Sequence, residues 1–350
     1  MMSSITDVAN KVGVSVATVS RALRGLPGVS EATRSAVCAA AAELGYVPSP
    51  SAAGLPTGRT GTIGVVAPWA GQWYFSNILA GAGQVLVEHG YDVLLYDLGG
   101  VEGADRRSIN PHLLRKRVDA LLALSLPLPS DEASALAEFR RPVTTIGPTM
   151  PGLSGVRIDE VGVGEKATRH LLDLGHRRIA FVGGNPRDHF GYPVAASRQE
   201  GYIRALQASD LPVDASLMFP ATFTIDGGLS CFPALARHDD PPTAVVAASD
   251  EIAMGVMHAA RAEHLDVPAD LSVVGVDNHD MARLFNLTTV AQPVREQGRL
   301  AATLLIEQLL PHPPATPRVV TVPTTLVVRA TTAPPSRQPG TASYDIERRV

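Results

Sequence analysis

The sequence has few of the residues that disulfide-bonded, metal-binding and membrane proteins need. Its 350 residues include two cysteines, Cys38 and Cys231, which cannot form a disulfide framework, and no CxxC pair indicates structural zinc. No apolar run approaches the roughly 20 residues required to cross a bilayer. The N-terminus also lacks the basic and apolar regions of a signal peptide. We therefore expect a cytoplasmic protein that binds no metal and spans no membrane.

The signatures of common enzyme sites are also missing. GxSxG, HExxH and the Walker A pattern do not occur, and the ten histidines are scattered, with no pair spaced i, i+4. Residues 162–167 (GVGEKA) fit the dinucleotide fingerprint GxGxxA. Glu165 would face the pyrophosphate, however, and no acidic residue ends a following strand at the required distance. We interpret this segment as the beginning of a helix, and we expect no cofactor and no catalytic activity.

Positive charge is concentrated at the N-terminal end of the chain. Residues 1–60 contain five lysines and arginines against three acidic residues, whereas the whole chain has a formal net charge of −4. A mildly basic head on an acidic body indicates that the head is the part that approaches a polyanion.

Composition divides the chain into four regions. Residues 1–46 are dense in helix signals, and residues 47–60 (VPSPSAAGLPTGRT) have the proline, glycine and serine content of a linker. Residues 61–329 alternate apolar runs such as TIGVVA, DVLLY, RIAFV and SVVGV with helix-length spacers. Such runs indicate strands buried on both faces of parallel sheets. We expect residues 330–350 to be disordered.

These patterns predict an α/β fold with a small all-α head followed by two doubly wound parallel α/β lobes. Two lobes are expected because about 270 residues exceed one comfortable sheet. The spacing in the head is that of a helix-turn-helix motif. Ser4 can cap a first helix, Gly13 breaks it, and Ser15 can cap a second helix over residues 16–23.

The second helix of such a motif presents its N-terminal residues to the major groove. The spacing alone would also fit a three-helix bundle that does not bind nucleic acid. The helix buries Val19 and Leu23 and exposes a face of small, hydroxyl-bearing and arginine side chains. Hydroxyl and guanidinium groups are good donors to phosphates and base edges, which favours DNA binding.

Longer motifs resemble those of LacI/GalR-family transcriptional regulators. DVANKVGVSVATVSRALRG and GVSEATRSAVCAAAAELGYVPSP resemble the family's head, and TGRTGTIGVVAP, LLDLGHRRIAFVGG, PTAVVAASDEIAMG, LSVVGVDN and LTTVAQPVREQGRLA follow in order. The resemblance implies a DNA-binding domain at 1–46, a hinge at 47–60 and a periplasmic-binding-protein-like core at 61–329. The implied N-lobe comprises residues 61–159 and 291–320, and the implied C-lobe residues 160–290 and 321–329.

The resemblance also implies which residues contact DNA. Arg21 matches a base-reading position and can bond guanine bidentately, which gives about 1–3 kcal/mol of discrimination. Val16 and Ala17 match base-reading positions that offer apolar contact only, and Ser15, Thr18 and Ser20 match phosphate-holding positions. The predicted DNA-binding set is Ser15, Val16, Ala17, Thr18, Ser20, Arg21, Arg24 and Leu55.

Leu55 matches the leucine that each hinge helix of the family inserts into the minor groove, where such a wedge kinks the duplex. The sequence departs from the family pattern beside it. Ala53 replaces a common arginine, Gly54 weakens a helix, and Pro56 follows the leucine directly. An ordinary linker residue is the alternative interpretation of Leu55.

The cleft between the lobes is the implied small-molecule site. Arg198 and Asp277 match ligand-binding residues that can clamp vicinal hydroxyls or a carboxylate. Gly147 stands where some sugar-binding relatives have aspartate, which removes one hydroxyl acceptor. Trp69, Gln72 and Phe75 follow the first strand, where a core or dimer-interface role is the alternative for the two rings. The predicted effector-binding set is Trp73, Tyr74, Ser125, Arg198, Phe223, Ser249, Asp250, Asp277 and Gln292.

Together these observations predict a ligand-responsive repressor of carbohydrate utilisation genes. Its expected partners are double-stranded operator DNA, a sugar or sugar derivative, and a second copy of the chain in a homodimer. A regulator that responds to a non-sugar metabolite such as a nucleobase is the alternative. A solute-binding receptor would share the two lobes but not the head, and a sugar-metabolising enzyme would need a catalytic constellation that the sequence lacks.

Overall fold

Three helices form the head. The computed structural model describes residues 3–46, 59–99, 116–125, 138–185 and 192–336, together with residues 107, 114, 132 and 136. The head helices are α1 (Ile5–Val12), α2 (Val16–Leu23) and α3 (Glu31–Glu43). Val8, Val19 and Val37 are fully buried where the three helices meet.

Serine caps fix where the head helices begin. Ser4 accepts from the backbone N–H of Asp7 in a complete capping box, and Ser15 accepts from the backbone N–H of Thr18 at the start of α2. Helix α1 ends at Gly13, whose φ of 72° lies in the left-handed region that glycine adopts without strain. Because these signals are local, the helix-turn-helix spacing read from the sequence is confirmed.

The N-lobe contains a six-stranded parallel sheet. Its strands are β1 (Thr62–Ala67), β2 (Asp92–Asp97), β3 (Ala120–Leu124), β4 (Val143–Ile146), β5 (Ser154–Arg157) and β11 (Val319–Thr321). They lie in the order β11-β5-β4-β3-β1-β2, and all five pairings are parallel. Helices α4 (Trp73–Glu88) and α9 (Val294–Leu309) pack against each other on this lobe.

The C-lobe contains a second six-stranded sheet. Its strands are β6 (Ile179–Val182), β7 (Met218–Phe219), β8 (Ala244–Ala247), β9 (Ser272–Asp277), β10 (Thr288–Ala291) and β12 (Thr325–Val327). They lie in the order β12-β10-β9-β8-β6-β7, with β12 antiparallel to β10. The helices of this lobe are α5 (Glu160–Asp173), α6 (Tyr192–Gln207), α7 (Ile225–Ala236) and α8 (Asp250–Ala262).

The chain crosses between the two sheets after β5, after β10 and between β11 and β12. The predicted fold class, a helical head followed by two parallel α/β lobes, is therefore confirmed. Residues just beyond the carboxyl ends of β1, β8 and β9 meet between the lobes, which is where open α/β sheets place their ligand sites. Within the ranges that the structure describes, none of the helices combines the length and apolarity needed to cross a bilayer.

Strand β2 is less buried than its sequence suggested. The run DVLLY was interpreted as a strand buried on both faces, but Val93 and Leu95 are 36% and 39% exposed. The physical reason is position, because β2 is the edge strand of the N-lobe sheet, and an edge strand has neighbours on one side only.

The predicted disorder of residues 330–350 is wrong for residues 330–336. The backbone N–H of Val273 donates to the Thr331 carbonyl at 2.8 Å, and Ser272 and Ala333 exchange bonds of 3.1 Å. His176 pairs with the Ala333 carbonyl at 2.8 Å. This segment is ordered because its backbone satisfies the polar groups at one end of β9. Residues 337–350 lie outside the described residues.

Candidate functional site

A buried ionic cluster lies between the lobes. Arg198 projects from α6, and its Nε donates to Oε2 of Glu160, the first residue of α5, at 2.7 Å. Its Nη1 donates to the carbonyl of Ala248 and lies 3.8 Å from Oδ1 of Asp277, at the end of β9. Helices α5 and α6 approach closely because Gly164 has no side chain. A Cβ there would lie 1.9 Å from the Arg198 carbonyl oxygen.

Arg198 stays charged in spite of its burial. The side chain is 4% exposed, and burial alone would lower its pKa. The opposite charges of Glu160 and Asp277 outweigh this effect, so the pKa of Arg198 is raised above its usual value. The guanidinium is therefore a fixed cation whose charge is balanced by two carboxyl groups.

Asp277 is held in a strained and polar setting. Its φ of 119° is unusual for a residue with a side chain and has a cost of order 1–3 kcal/mol. Gln292 Nε2 donates to Asp277 Oδ1 at 2.6 Å, and Gln297 in turn donates to Gln292 Oε1 at 2.8 Å. Burial raises the pKa of Asp277 to about 7, although Arg198 and Gln292 oppose the shift.

The N-lobe contributes Tyr74 and Ser125 to the same cluster. Burial, reinforced by the negative charge of Glu160, raises the pKa of Tyr74, and the nearby Ser125 side chain opposes the shift. Ser125 has a positive φ of 42° and is buried. Gly147 lies against it with a φ of 94°, and a Cβ at Gly147 would lie 2.7 Å from the Ser125 hydroxyl oxygen. Both the backbone conformation and the space therefore favour glycine where some relatives have aspartate.

Ser249 and Asp250 hold the C-lobe side of the cleft in place. Ser249 caps α8 by accepting from the backbone N–H of Ile252 at 3.3 Å. Asp250 has no exposed surface, and its two oxygens accept at 2.7 Å from the Thr289 hydroxyl and from the backbone N–H of His279. Burial raises its pKa well above the usual range, and nearby Asp277 adds to the shift. These two predicted effector residues therefore hold the start of α8 and the segment after β9 in place beside the cluster.

Several side chains join the lobes directly across the cleft. Gln72 Nε2 donates to the Phe223 carbonyl at 2.6 Å and lies 3.4 Å from Glu251 Oε2. The indole Nε1 of Trp73 donates to Asp280 Oδ2 at 3.0 Å. Helix α4 has no side-chain cap of its own, and the backbone N–H of Trp73 at its start opposes the raised pKa of Glu251. The C-lobe therefore places an acidic side chain near the start of an N-lobe helix.

A cavity of about 480 Å³ opens beside Glu160 where the two lobes meet. This volume lies within the range of small-molecule sites, roughly 300–1,000 Å³. The cavity is lined by Gly147, Pro148, Thr149, Arg157, Ile158, Asp159, Glu160, Val161, Pro193, Val194, Ser197 and Thr321.

The other predicted aromatic residues separate into two groups. Trp73, Tyr74 and Phe223 are partly buried and pack against the main core beside the cleft, and Trp69 is partly buried. Phe75 is 8% exposed and belongs to the core itself, which agrees with the core alternative for this ring.

The head exposes the first turn of α2. Val16 is 42% exposed and Ala17 is also exposed, while the Ser15 and Thr18 hydroxyls lie 2.9 Å apart. Arg21 is exposed, and its Nη2 donates to the Pro27 carbonyl at 2.8 Å. Because a guanidinium carries five N–H donors, this bond leaves others for a base.

Ser20 and Arg24 are partly buried on the same helix. Arg34, which the sequence did not single out, donates to the Ala22 and Leu26 carbonyls at 2.8 and 3.0 Å and holds the end of α2. Leu55 and its neighbours Ala53, Gly54 and Pro56 lie outside the described residues. The hinge interpretation therefore stays a prediction.

Sequence reasoning missed three of the acidic side chains at the cleft. Glu160, Glu251 and Asp280 were not predicted, although each lies within three residues of a predicted site residue or lobe crossing. The available signal was that each stands at or next to the first turn of a helix that follows a buried strand. Among the described residues, no group of three histidine, cysteine or acidic side chains could hold a metal ion.

Two family models match this chain. Residues 4–49 match bacterial regulatory proteins of the lacI family, and residues 168–332 match a periplasmic binding protein-like domain. The chain is 34% identical over 311 residues to the HTH-type transcriptional repressor CytR of Escherichia coli strain K12, an alignment that covers 88% of this chain and 90% of CytR. It is 35% identical over 316 residues to the HTH-type transcriptional regulator CelR of Thermobifida fusca, with 86% and 90% covered.

Solved structures agree with these matches. The fold superposes on the lac repressor dimer bound to operator and the anti-inducer ONPF with a TM-score of 0.80 and 27% identity, covering 95% of this chain and 100% of that one. A complex of the regulator CelR with cellobiose gives a TM-score of 0.68 and 31% identity, covering 94% and 99%. Because the head matches and relatives above 30% identity align along most of the chain, this protein belongs to the lacI family of bacterial regulatory proteins.

Proposed function

We propose that this protein is a ligand-responsive transcriptional repressor that binds a pseudo-palindromic operator as a homodimer and takes a carbohydrate between its lobes. The observation that carries the proposal is that two features occur in the same chain. It has an exposed helix-turn-helix edge at α2, and it has a cavity whose lining residue Glu160 bonds to Arg198, the neighbour of Asp277. Arg198 and Asp277 themselves do not line this cavity. The first suits duplex DNA, and the second suits a small polar molecule.

The polar groups at the cleft support a hydroxylated effector. Asp277, Gln292 and Ser125 offer acceptors and donors around Arg198, and Trp73, Tyr74 and Phe223 supply aromatic surface nearby. Aromatic faces pack against the apolar C–H faces of sugar rings, and charge-assisted bonds orient their hydroxyls. The CelR–cellobiose complex is a relative with such a ligand. A nucleobase or nucleoside is the alternative effector.

Exposed apolar side chains on both lobes support a dimer. They are Val93 and Leu95 on β2, Ile225 at the start of α7, and Met281, Leu284 and Phe285 beyond β9, with exposures between 36% and 72%. Exposed large apolar side chains on a stable domain often mark an interface. A two-fold dimer would place two heads on successive major grooves.

We also propose how the effector would act on DNA binding. A molecule bound between Arg198 and Asp277 favours the lobe arrangement in which it makes more contacts, and it shifts the equilibrium only by its difference in affinity between the two states. The N-lobes follow the linker in sequence, so their movement changes the spacing and order of the two hinges. Couplings of this kind amount to about 1–3 kcal/mol.

Operator selection tests the proposal. Full-length protein is incubated with random duplex DNA at low salt, with and without ligands from a panel of sugars and nucleobases that raise its thermal unfolding temperature. We expect a palindromic consensus whose affinity changes with one ligand. A lack of preference for any palindrome, with or without ligand, would contradict the regulator assignment.

Two variants separate the proposed sites. Arg198→Ala should bind the selected operator normally but lose the ligand response, and a normal response would remove Arg198 from the site. Leu55→Ala should weaken operator binding far more than non-specific binding. Equal losses would make Leu55 an ordinary linker residue.

A further inference from the structure

The charges around Arg198 leave the cleft without a net cation. Glu160 Oε2 accepts from Arg198 Nε at 2.7 Å, and Asp277 Oδ1 lies 3.8 Å from Nη1. A third bond joins the guanidinium to the Ala248 carbonyl. The cation of this cluster therefore already has a close carboxylate partner before any ligand binds.

The cavity lining carries two acidic side chains, Asp159 and Glu160, and one basic side chain, Arg157. On the C-lobe side of the cluster, burial raises the pKa of both Asp250 and Glu251, which favours their neutral forms. Asp159 lines the cavity next to Glu160. Arg157 also lines it, but this side chain is exposed and its Nε donates to the Thr321 hydroxyl at 3.2 Å. An anionic group entering beside Glu160 would approach the carboxylates of Asp159 and Glu160, and Glu160 already holds Arg198.

Of the residues in the ionic cluster, Glu160 is the one that lines the cavity. Its side chain is 23% exposed, whereas that of Arg198 is 4% exposed. A ligand in the cavity therefore meets the carboxylate first, and the guanidinium lies behind it. Ser197, Thr149 and Gly147 form an uncharged wall around the same space. Such a wall suits hydroxyl groups, and it leaves Arg157, whose Nε is bonded to Thr321, as the cation of the lining.

We propose that Glu160 is a specificity-determining residue that neutralises Arg198 and makes the cleft select uncharged, hydroxylated effectors over phosphorylated or carboxylated ones. This inference rests on the proposed function only in placing the effector at this cavity. It narrows the ligand class by charge, and it applies equally to sugars and to nucleosides. The carboxylate accepts hydroxyl donors from a neutral ligand and repels an anion of the same shape.

Matched ligand pairs test the selectivity of the full-length protein. Thermal unfolding is measured with glucose and glucose 6-phosphate, cellobiose and cellobionate, and cytidine and cytidine monophosphate. Within any pair that binds, the neutral member should bind at least about tenfold more tightly. Tighter binding of the phosphorylated or carboxylated member would overturn the proposal.

Inorganic phosphate provides a test that needs no identified effector. The wild-type protein should gain no stability from phosphate over chloride at equal ionic strength. Glu160→Gln keeps an acceptor for Arg198 Nε and removes the negative charge, so phosphate should raise its unfolding temperature by about 2–4 °C. A wild-type protein that responds as strongly as Glu160→Gln, or a folded variant that gains nothing, would overturn the proposal.

Two controls locate the effect. Glu165→Gln removes the same charge from the same helix, where Glu165 pairs with Arg169 at 3.5 Å, and it should respond to phosphate like the wild type. Adding Arg198→Met to Glu160→Gln should abolish the phosphate-dependent rise in unfolding temperature. A rise that persisted in this double variant would report phosphate bound at the head. Because these measurements use no operator, their failure is distinguishable from failure of operator selection, which would contradict the proposed regulator.

Discussion

Trp73, the first residue of an N-lobe helix, donates its indole N–H to the carboxylate of Asp280 in the C-lobe at 3.0 Å. The indole ring also lies 4.6 Å from the ring of His279. His279 is tied back to the buried Asp250 through its backbone N–H at 2.7 Å. Residues 279–280 thus join the Trp73–Asp280 contact across the cleft to Asp250, which lies beside the Arg198–Asp277 cluster.

This contact should stabilise the arrangement of the lobes that the structure shows. Trp73→Phe keeps a ring and removes the donor, and Asp280→Asn removes the charge of the acceptor. In a double-mutant cycle on the free energy of unfolding we expect a coupling of about 0.5–1 kcal/mol, a small value because Asp280 is exposed to solvent. Small-angle scattering should show a larger radius of gyration for each variant than for the wild type.

A matched cycle with Trp69→Phe controls for the loss of an indole near the cleft. Among the hydrogen bonds of the described residues, none joins Trp69 to Asp280. This second cycle should therefore show no coupling. Equal couplings for the two tryptophans would mean that the 3.0 Å contact does not hold the lobes together.

Effector binding should depend on pH through Asp277. Burial raises the pKa of this carboxyl from 3.8 to about 7, and a ligand that donates hydroxyl hydrogens prefers the ionised form. Affinity should therefore be constant above pH 7 and fall by up to about tenfold per pH unit below it. Isothermal titration between pH 5.5 and 8.5 measures this slope. A flat profile, or an unchanged slope in Asp277→Asn, would exclude Asp277 as the responsible group.

The same shift predicts the direction of the folding linkage. Since the folded state binds this proton more tightly than the unfolded state, the contribution of Asp277 is most favourable below pH 3.8 and is lost as the pH rises to about 7. Asp277→Asn should remove this loss. Relative to the wild type, the variant should become more stable as the pH increases from 4 to 7.

The sequence predicted best those parts of the fold that depend on neighbouring residues. Ser4, Ser15 and Gly13 mark helix ends by local bonds, so the head helices could be read directly. The exposure of Val93 and Leu95 could not, because it depends on which strand lies at the sheet edge. Order at Thr331 likewise depends on β9, which lies about sixty residues earlier in the chain.

The candidate site shows the same division between features that local sequence predicts and features that depend on distant residues. Arg198 and Asp277 came from the resemblance of their sequence surroundings, residues 198–202 (RQEGY) and LSVVGVDN, to family motifs, and no local pattern would have paired them. Glu160 escaped notice because its contact with Arg198 exists only after α5 and α6 pack at Gly164. Gly147 was recognised as a departure from relatives, and its positive φ and contact with Ser125 now give the reason.

Arg21 and Arg34 should have separable roles in the head. Arg21→Ala should relax base preference at one position in each operator half-site, with a loss of about 1–3 kcal/mol for the preferred base. Arg34→Ala removes bonds to the Ala22 and Leu26 carbonyls, so it should lower the stability of the head without changing which base is preferred. Selection on random operators and circular-dichroism melting measure the two effects. Unchanged specificity in a folded Arg21→Ala protein would refute base reading.

The docked segment 330–336 should stabilise the C-lobe, whereas the residues after it should not. A chain that ends at Arg329 loses the bonds of Thr331 and Ala333 to β9 and to His176, which should lower the free energy of unfolding by about 2–4 kcal/mol. A chain that ends at Ser336 keeps these bonds and is the matched control, expected within about 0.5 kcal/mol of the full chain. Equal melting of the two truncations would show that the docking contributes nothing.

His176 gives the same segment a measurable dependence on pH. Burial lowers the pKa of this imidazole below 6.5; the bond to Ala333 opposes this shift, and the neighbouring His170 adds to it. A buried histidine with a lowered pKa contributes stability that is present above the unfolded pKa and is lost as the pH falls below 6.5. The chain that ends at Ser336 should therefore lose stability between pH 6.5 and 5. The chain that ends at Arg329, whose His176 gains solvent, should lose less, and parallel curves would contradict this account of the docking.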